Sequence, residues 1–109
     1  MIYSIKPVPT FQTQFKRLLK KYKSLTQDIL DLQTILLQDP KHGTSLGKNC
    51  FKIKMSISSK NKGKSGGARV ITHLQIVGET IYLLSIYDKS QKENLDEDEL
   101  DNLLLEIIE

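Results

Sequence analysis

Tryptophan is absent from this 109-residue chain and cysteine occurs once, as Cys50. One cysteine excludes an internal disulfide, so packing and hydrogen bonds must hold the fold, and the chain reads as cytosolic. No apolar run approaches the roughly 20 residues needed to span a bilayer. The opening MIYSIKPVP lacks the cationic start and apolar core of a signal peptide. Two further absences are local. Residues 49–76 contain no carboxylate, and residues 93–109 contain no lysine or arginine.

What is present is an ordinary globular composition, 39% hydrophobic, that predicts one domain over residues 1–109 with a single core. The net charge of +3 is the balance of two unequal parts. Residues 1–92 hold all 16 Lys and Arg against five acids; residues 93–109 hold eight acids. A body so basic attracts polyanions through its summed field, although solubility alone also accounts for such a surface.

Local patterns predict the elements. Ile2, Tyr3 and Ile5 precede Pro7 and Pro9, a short strand ended by prolines. Thr10 is the expected cap of a helix with an apolar stripe of Phe11, Phe15, Leu18, Leu19 and Tyr22. Ser24 and Gln27 match a capping box for a second helix, which Asp39-Pro40 ends. Two helices joined so closely form a hairpin. Residues 41–48 read as a loop, with His42 in it as a solvated residue and no metal site.

From Phe51 the period becomes two. Phe51, Ile53, Met55 and Ile57 face one way, and Lys52, Lys54, Ser56 and Ser58 the other. Residues 60–67, KNKGKSGG, form a loop rich in cations and backbone N–H groups, in which Lys60, Lys62 and Lys64 are candidate contacts for a polyanion. The P-loop spacing is missing, which excludes that nucleotide-binding motif. Residues 68–77 and 80–88 form a hairpin across Gly78-Glu79. A two-residue turn pairs Arg69 with Asp88, a three-residue loop pairs it with Lys89, and either brings Arg69 beside Tyr87, Asp88 and Lys89. Asn94 or Asp96 caps a last helix, with Asp96 and Glu99 forming a capping box.

Three segments carry a family resemblance: CFKIKM from Cys50, KSGGARVI from Lys64, and LSIYDKSQKEN from Leu84. Their order, together with the order of elements, resembles the RelE superfamily of bacterial toxins from type II toxin–antitoxin pairs, most closely its HigB-like branch. The resemblance implies an α+β fold: N-terminal strand, helical hairpin, three-stranded antiparallel meander and C-terminal helix. It implies ribosome-dependent cleavage of mRNA in the decoding site, without metal or cofactor, through attack of the RNA's own 2′-hydroxyl on the neighbouring phosphodiester. It also implies a cognate antitoxin, often of helix-turn-helix type, and no membrane.

Carried over by position, the resemblance makes Lys52, Lys54, Arg69, Tyr87 and Lys89 the candidate catalytic residues. Arg69 is assigned to the phosphoryl oxygens, Lys54 to the scissile phosphate or proton transfer, Tyr87 to base stacking or acid–base chemistry, and Lys89 to the leaving group. Lys92 is a further RNA-binding candidate. The general base stays open, because the family's tyrosine beyond the third strand falls at Leu95 here and His73 lies on the second strand. Two other readings remain: a ParE-like inhibitor of DNA gyrase, and a module that grips RNA or the ribosome without cutting.

Overall fold

A computed structural model describes residues 2–60, 66–92 and 94–107. Strand β1 (Ser4–Pro7) leads into α1 (Pro9–Lys21) and α2 (Leu25–Gln38). Then follow β2 (Thr44–Gly47), β3 (Cys50–Met55), a 3-10 turn (Ser58–Lys60), β4 (Ala68–Gln75), β5 (Thr80–Asp88) and α3 (Glu97–Leu104). The strands make one sheet in the order β1-β5-β4-β3-β2, parallel between β1 and β5 and antiparallel elsewhere.

The α+β fold and its element order agree with the sequence reading, but the sheet is larger than a three-stranded meander. The segment expected as a loop at residues 41–48 contains β2, which pairs along β3. Lys48 and Asn49 both take positive φ, 55° and 57°, so the β2–β3 connection is a tight turn whose twist matches the flanking strands. At the other edge, β1 adds to β5, which becomes an interior strand buried on both faces.

Helix α1 starts two residues earlier than expected. Val8 is its extended cap residue and Pro9 takes the first turn, where a missing N–H costs nothing. Thr10 is bound from outside the helix: its N–H donates to Glu106 Oε1 at 2.8 Å and its hydroxyl to Glu106 Oε2 at 2.5 Å. A carboxylate from the far end of the chain therefore stands at the positive end of α1. Ser24 precedes α2, but the expected capping box is absent. Its backbone is helical, and its hydroxyl donates to Asp28 Oδ2 instead. Asp28 in turn accepts from the N–H (3.0 Å) and hydroxyl (2.6 Å) of Ser58, fastening α2 to the 3-10 turn. The capping box of α3, Asp96 with Glu99, forms as expected.

The β4–β5 register also differs from both expected alternatives. The loop holds four residues, since Gln75 pairs with Thr80, and an irregularity between Ile71 and Thr72 shifts the rest. Arg69 consequently lies opposite Tyr87, and Ala68 opposite Asp88. Because side chains alternate along a strand, Arg69 and Asp88 leave opposite faces of the sheet and form no cross-strand ion pair. Apolar residues of β3, β4 and β5 (Ile53, Val70, Ile86) form one core layer with Phe11, Leu18, Leu25, Ile29 and Leu32 of the helical hairpin. Leu100 and Leu103 of α3 are buried as well.

Candidate functional site

Three aligned strands set the site. Lys54 of β3 is directly opposite Arg69 of β4, and Arg69 is directly opposite Tyr87 of β5. Directly opposed residues share a face, so these side chains make one row across the sheet. The next row along the same face is Lys52, Ile71 and Ser85, and the one after it begins with Cys50 and His73. Exposure falls along the first row. Lys54 is exposed, while Arg69 and Tyr87 are 2% and 7% exposed.

Taking a guanidinium out of water is costly unless it is hydrogen-bonded. Arg69 Nη1 donates to the carbonyl of Ala68 at 3.1 Å. Its planar, permanently charged head is thereby fixed in a region of restricted solvent, where a charge interacts most strongly with an arriving anion. The start of β4 is equally constrained. A Cβ on Gly67 would lie 2.1 Å from the carbonyl oxygen of Met55, so only glycine lets β4 approach the end of β3 this closely.

A family model described as RelE toxin of the RelE/RelB toxin–antitoxin system matches residues 10–105, from α1 to the end of α3. The chain belongs to the RelE toxin family. Among solved structures it is similar to Escherichia coli toxin RelE, an arginine double mutant in the free state, with a TM-score of 0.66. That match covers 99% of this chain and 100% of the other at 14% identity, a likeness of fold. As a RelE-family toxin it is one half of a toxin–antitoxin system, and an antitoxin is its partner.

The remaining candidates of this RelE-family chain lie around the row. Lys52 is half-buried and donates to Asn94 Oδ1 at 2.7 Å, from the segment that follows β5. Lys92 holds its ammonium 5.5 Å from the Tyr87 ring centroid, a cation–π distance, and is ion-paired with Glu99. Lys89 is half-buried, and its backbone N–H donates to the carbonyl of Gly67 at 3.1 Å. Lys60 is turned inward, with its ammonium 2.7 Å from Asp88 Oδ1. Lys62 and Lys64 lie outside the described residues.

The structure thus gathers Lys54, Arg69 and Tyr87 in one line, with Lys52, Lys89 and Lys92 beside it. It directs Lys60 elsewhere. Sequence reasoning missed Asn94, Glu99 and Asp88. In the sequence Asn94 and Glu99 read only as parts of a helix start, and Asp88 only as a hairpin neighbour of Arg69. Asp88-Lys89-Ser90 does carry a local signal, since Asp two residues before Ser favours a side-chain-closed turn.

His42 is 3.5 Å from Asp39 within its own loop. Among the described residues no three His, Cys, Asp or Glu gather as a metal site, and no helix is long and apolar enough to cross a membrane.

Proposed function

We propose that this toxin is an mRNA endonuclease that acts on the translating ribosome. The observation that carries the reading is the row Lys54, Arg69, Tyr87: two cations and an aromatic ring on one sheet face, in a stretch whose own sequence holds no acid between residues 49 and 76. In the reaction, the RNA 2′-oxygen bonds to phosphorus as the bond to the 5′-oxygen breaks. The products are a 2′,3′-cyclic phosphate and a free 5′-hydroxyl. One proton leaves the 2′-hydroxyl and one is delivered to the 5′-oxygen.

The extra negative charge on the phosphoryl oxygens is met by Arg69, whose position is fixed before substrate arrives. Lys54, the exposed member, grips the scissile phosphate. Tyr87, 7% exposed beneath Lys92, meets a base once Lys92 swings aside, and Lys89, in the turn after β5, serves the leaving oxygen. Lys52 and Lys92 add positive potential at the edge. A gyrase inhibitor has no need of such a row, whereas a binding-only module would use the same cations without turnover. The antitoxin, of helix-turn-helix type in this reading, neutralises the toxin by covering the same basic surface or the helical hairpin.

The test is primer extension on a reporter mRNA in a translating extract, comparing wild type with Lys54→Ala and Arg69→Lys. Lys54 is exposed and Arg69→Lys keeps the charge, so neither variant should lose the fold. Cuts within codons that need ribosomes and weaken in both variants are the expected result. An intact message under arrested translation would overturn the endonuclease and leave a binding role.

A further inference from the structure

We propose that Asp88 is a positioning residue for the phosphate-facing row, and that Lys60 is its buried counter-ion and does not touch RNA. The activity readouts of this proposal rest on the endonuclease reading; its structural readout does not. Asp88 follows Tyr87 in β5 but leaves the opposite face of the sheet, and it is wholly buried. Its carboxylate accepts four hydrogen bonds. They come from the Tyr22 hydroxyl (2.6 Å), Lys60 Nζ (2.7 Å), and the N–H and hydroxyl of Ser90 (both 2.9 Å).

Those donors belong to three separate pieces of chain: the end of α1, the 3-10 turn and the exit from β5. One carboxylate therefore joins the helical hairpin, the turn after β3 and the strand that carries Tyr87. A buried charge with this many committed partners is costly to disturb from any side. Lys60 is equally committed. Its side chain is 13% exposed, and its ammonium also stands 5.6 Å from the Tyr22 ring centroid.

The two bonds from Ser90 turn the chain at the end of β5, and Gln91 N–H closes the same turn on the Asp88 carbonyl at 3.0 Å. Without that turn β5 would run straight on. With it, Lys89 is tied to Gly67 at the start of β4, and Lys92 comes back over the Tyr87 ring. Asp88 thus fixes, from behind the sheet, where Tyr87, Lys89 and Lys92 stand. Burial alone would raise its carboxyl pKa, but Lys60, Tyr22 and Ser90 outweigh burial and hold it well below the usual carboxylate range. The tie is accordingly ionised throughout the neutral range.

Purified Lys60→Met, Asp88→Asn, Tyr22→Phe and Lys54→Ala are compared with wild type in three measurements. The first is affinity for a fluorescein-labelled single-stranded RNA oligonucleotide as a function of salt. Lys60→Met should keep the wild-type slope, while Lys54→Ala loses about 0.7, the share of one phosphate on a single strand. The second is single-turnover cleavage on programmed ribosomes. Asp88→Asn should slow the saturated rate by about 100-fold, as misplacement by an ångström does, with half-saturation unchanged. Tyr22→Phe should slow it less and in the same direction. The third is hydrogen exchange at the Lys89 amide, which should quicken in Asp88→Asn and Tyr22→Phe.

A slope loss in Lys60→Met equal to that of Lys54→Ala would place Lys60 on RNA and overturn the proposal. So would wild-type cleavage rates in folded Asp88→Asn or Tyr22→Phe. Should Asp88→Asn fail to fold, Tyr22→Phe decides, because it removes one hydroxyl and nothing else. If wild type itself does not cut RNA, the endonuclease reading falls. The Lys89 amide still judges the tie, and unchanged exchange in Tyr22→Phe sinks it.

Discussion

Arg69 and Tyr87 face each other across β4 and β5 on the same side of the sheet, while Asp88, one residue on, points to the other side. This alternation separates the work of the strand end. One face carries the row with Lys54, and the other is bolted to the helical hairpin through Asp88 and Tyr22.

Removal of the exposed member of the row should cost activity and little else. Lys54→Ala is expected to lower cleavage by about 10²-fold or more, the usual loss for one charge-stabilising group. Its thermal midpoint should match wild type, since exposed substitutions shift stability by about 0.5 kcal/mol or less. Single-turnover kinetics beside a melting curve check both halves.

Stability should depend on the Lys60–Asp88 pair at both ends of the pH scale. The Asp88 carboxyl is held low in the native state, so the unfolded chain takes up its proton first, near pH ~3.9. Its contribution is complete above that pH and is lost as pH falls through the native value. The Asp88 hydrogen bond holds Lys60 above its ordinary pKa, and the sign reverses. That contribution is complete below pH ~10.4 and is lost as pH rises through the native value. The midpoint difference between wild type and Asp88→Asn, measured from acid to alkaline pH, should be a plateau that narrows at each end.

Gly67→Ala should be far more damaging than a methyl group suggests. Its Cβ would meet backbone, the Met55 carbonyl at 2.1 Å, and backbone cannot swing aside as a side chain does. Overpacking of this kind costs about 1–3 kcal/mol. A chemical denaturation series checks it, with an unchanged midpoint as the contrary result.

Cys50 should be inert while the protein is folded. Burial pushes its thiol up to about 11, and the nearby Lys48 ammonium does not offset this. Little thiolate exists at neutral pH, and the sulfur is out of solvent. Alkylation followed by mass spectrometry should show labelling only in denaturant; rapid labelling of native protein would contradict the packing.

Local signals made much of this legible in the sequence. The alternation from Phe51 places Lys52 and Lys54 correctly because a half-buried strand must alternate. The Asp96–Glu99 box marks α3 because its bonds span three residues. What stayed hidden is non-local. Strand β2 is four residues, all exposed, so it has no apolar face to announce it. The pairing of β1 with β5 joins positions some 76 residues apart, as in Ser4 with Thr80. The irregularity between Ile71 and Thr72 shifted the register by one, enough to turn an expected Arg69–Asp88 pair into two residues on opposite faces. Lys60 reads with Lys62 and Lys64 as one more loop cation because nothing nearby in sequence reveals its partner, 28 positions on.

The position of β5 has a consequence for the birth of this toxin. It is the last strand among the described residues, yet it lies between β1 and β4 and carries Tyr87 and Asp88. A nascent chain grows from its N-terminus, so β1 and the helical hairpin emerge long before the strand they must pack on. Until residues 80–88 are free, β1 has no neighbour, the row lacks its third member, and Tyr22 and Lys60 await their common partner, Asp88. Such late, long-range closure makes folding slow and keeps partial chains without a formed site.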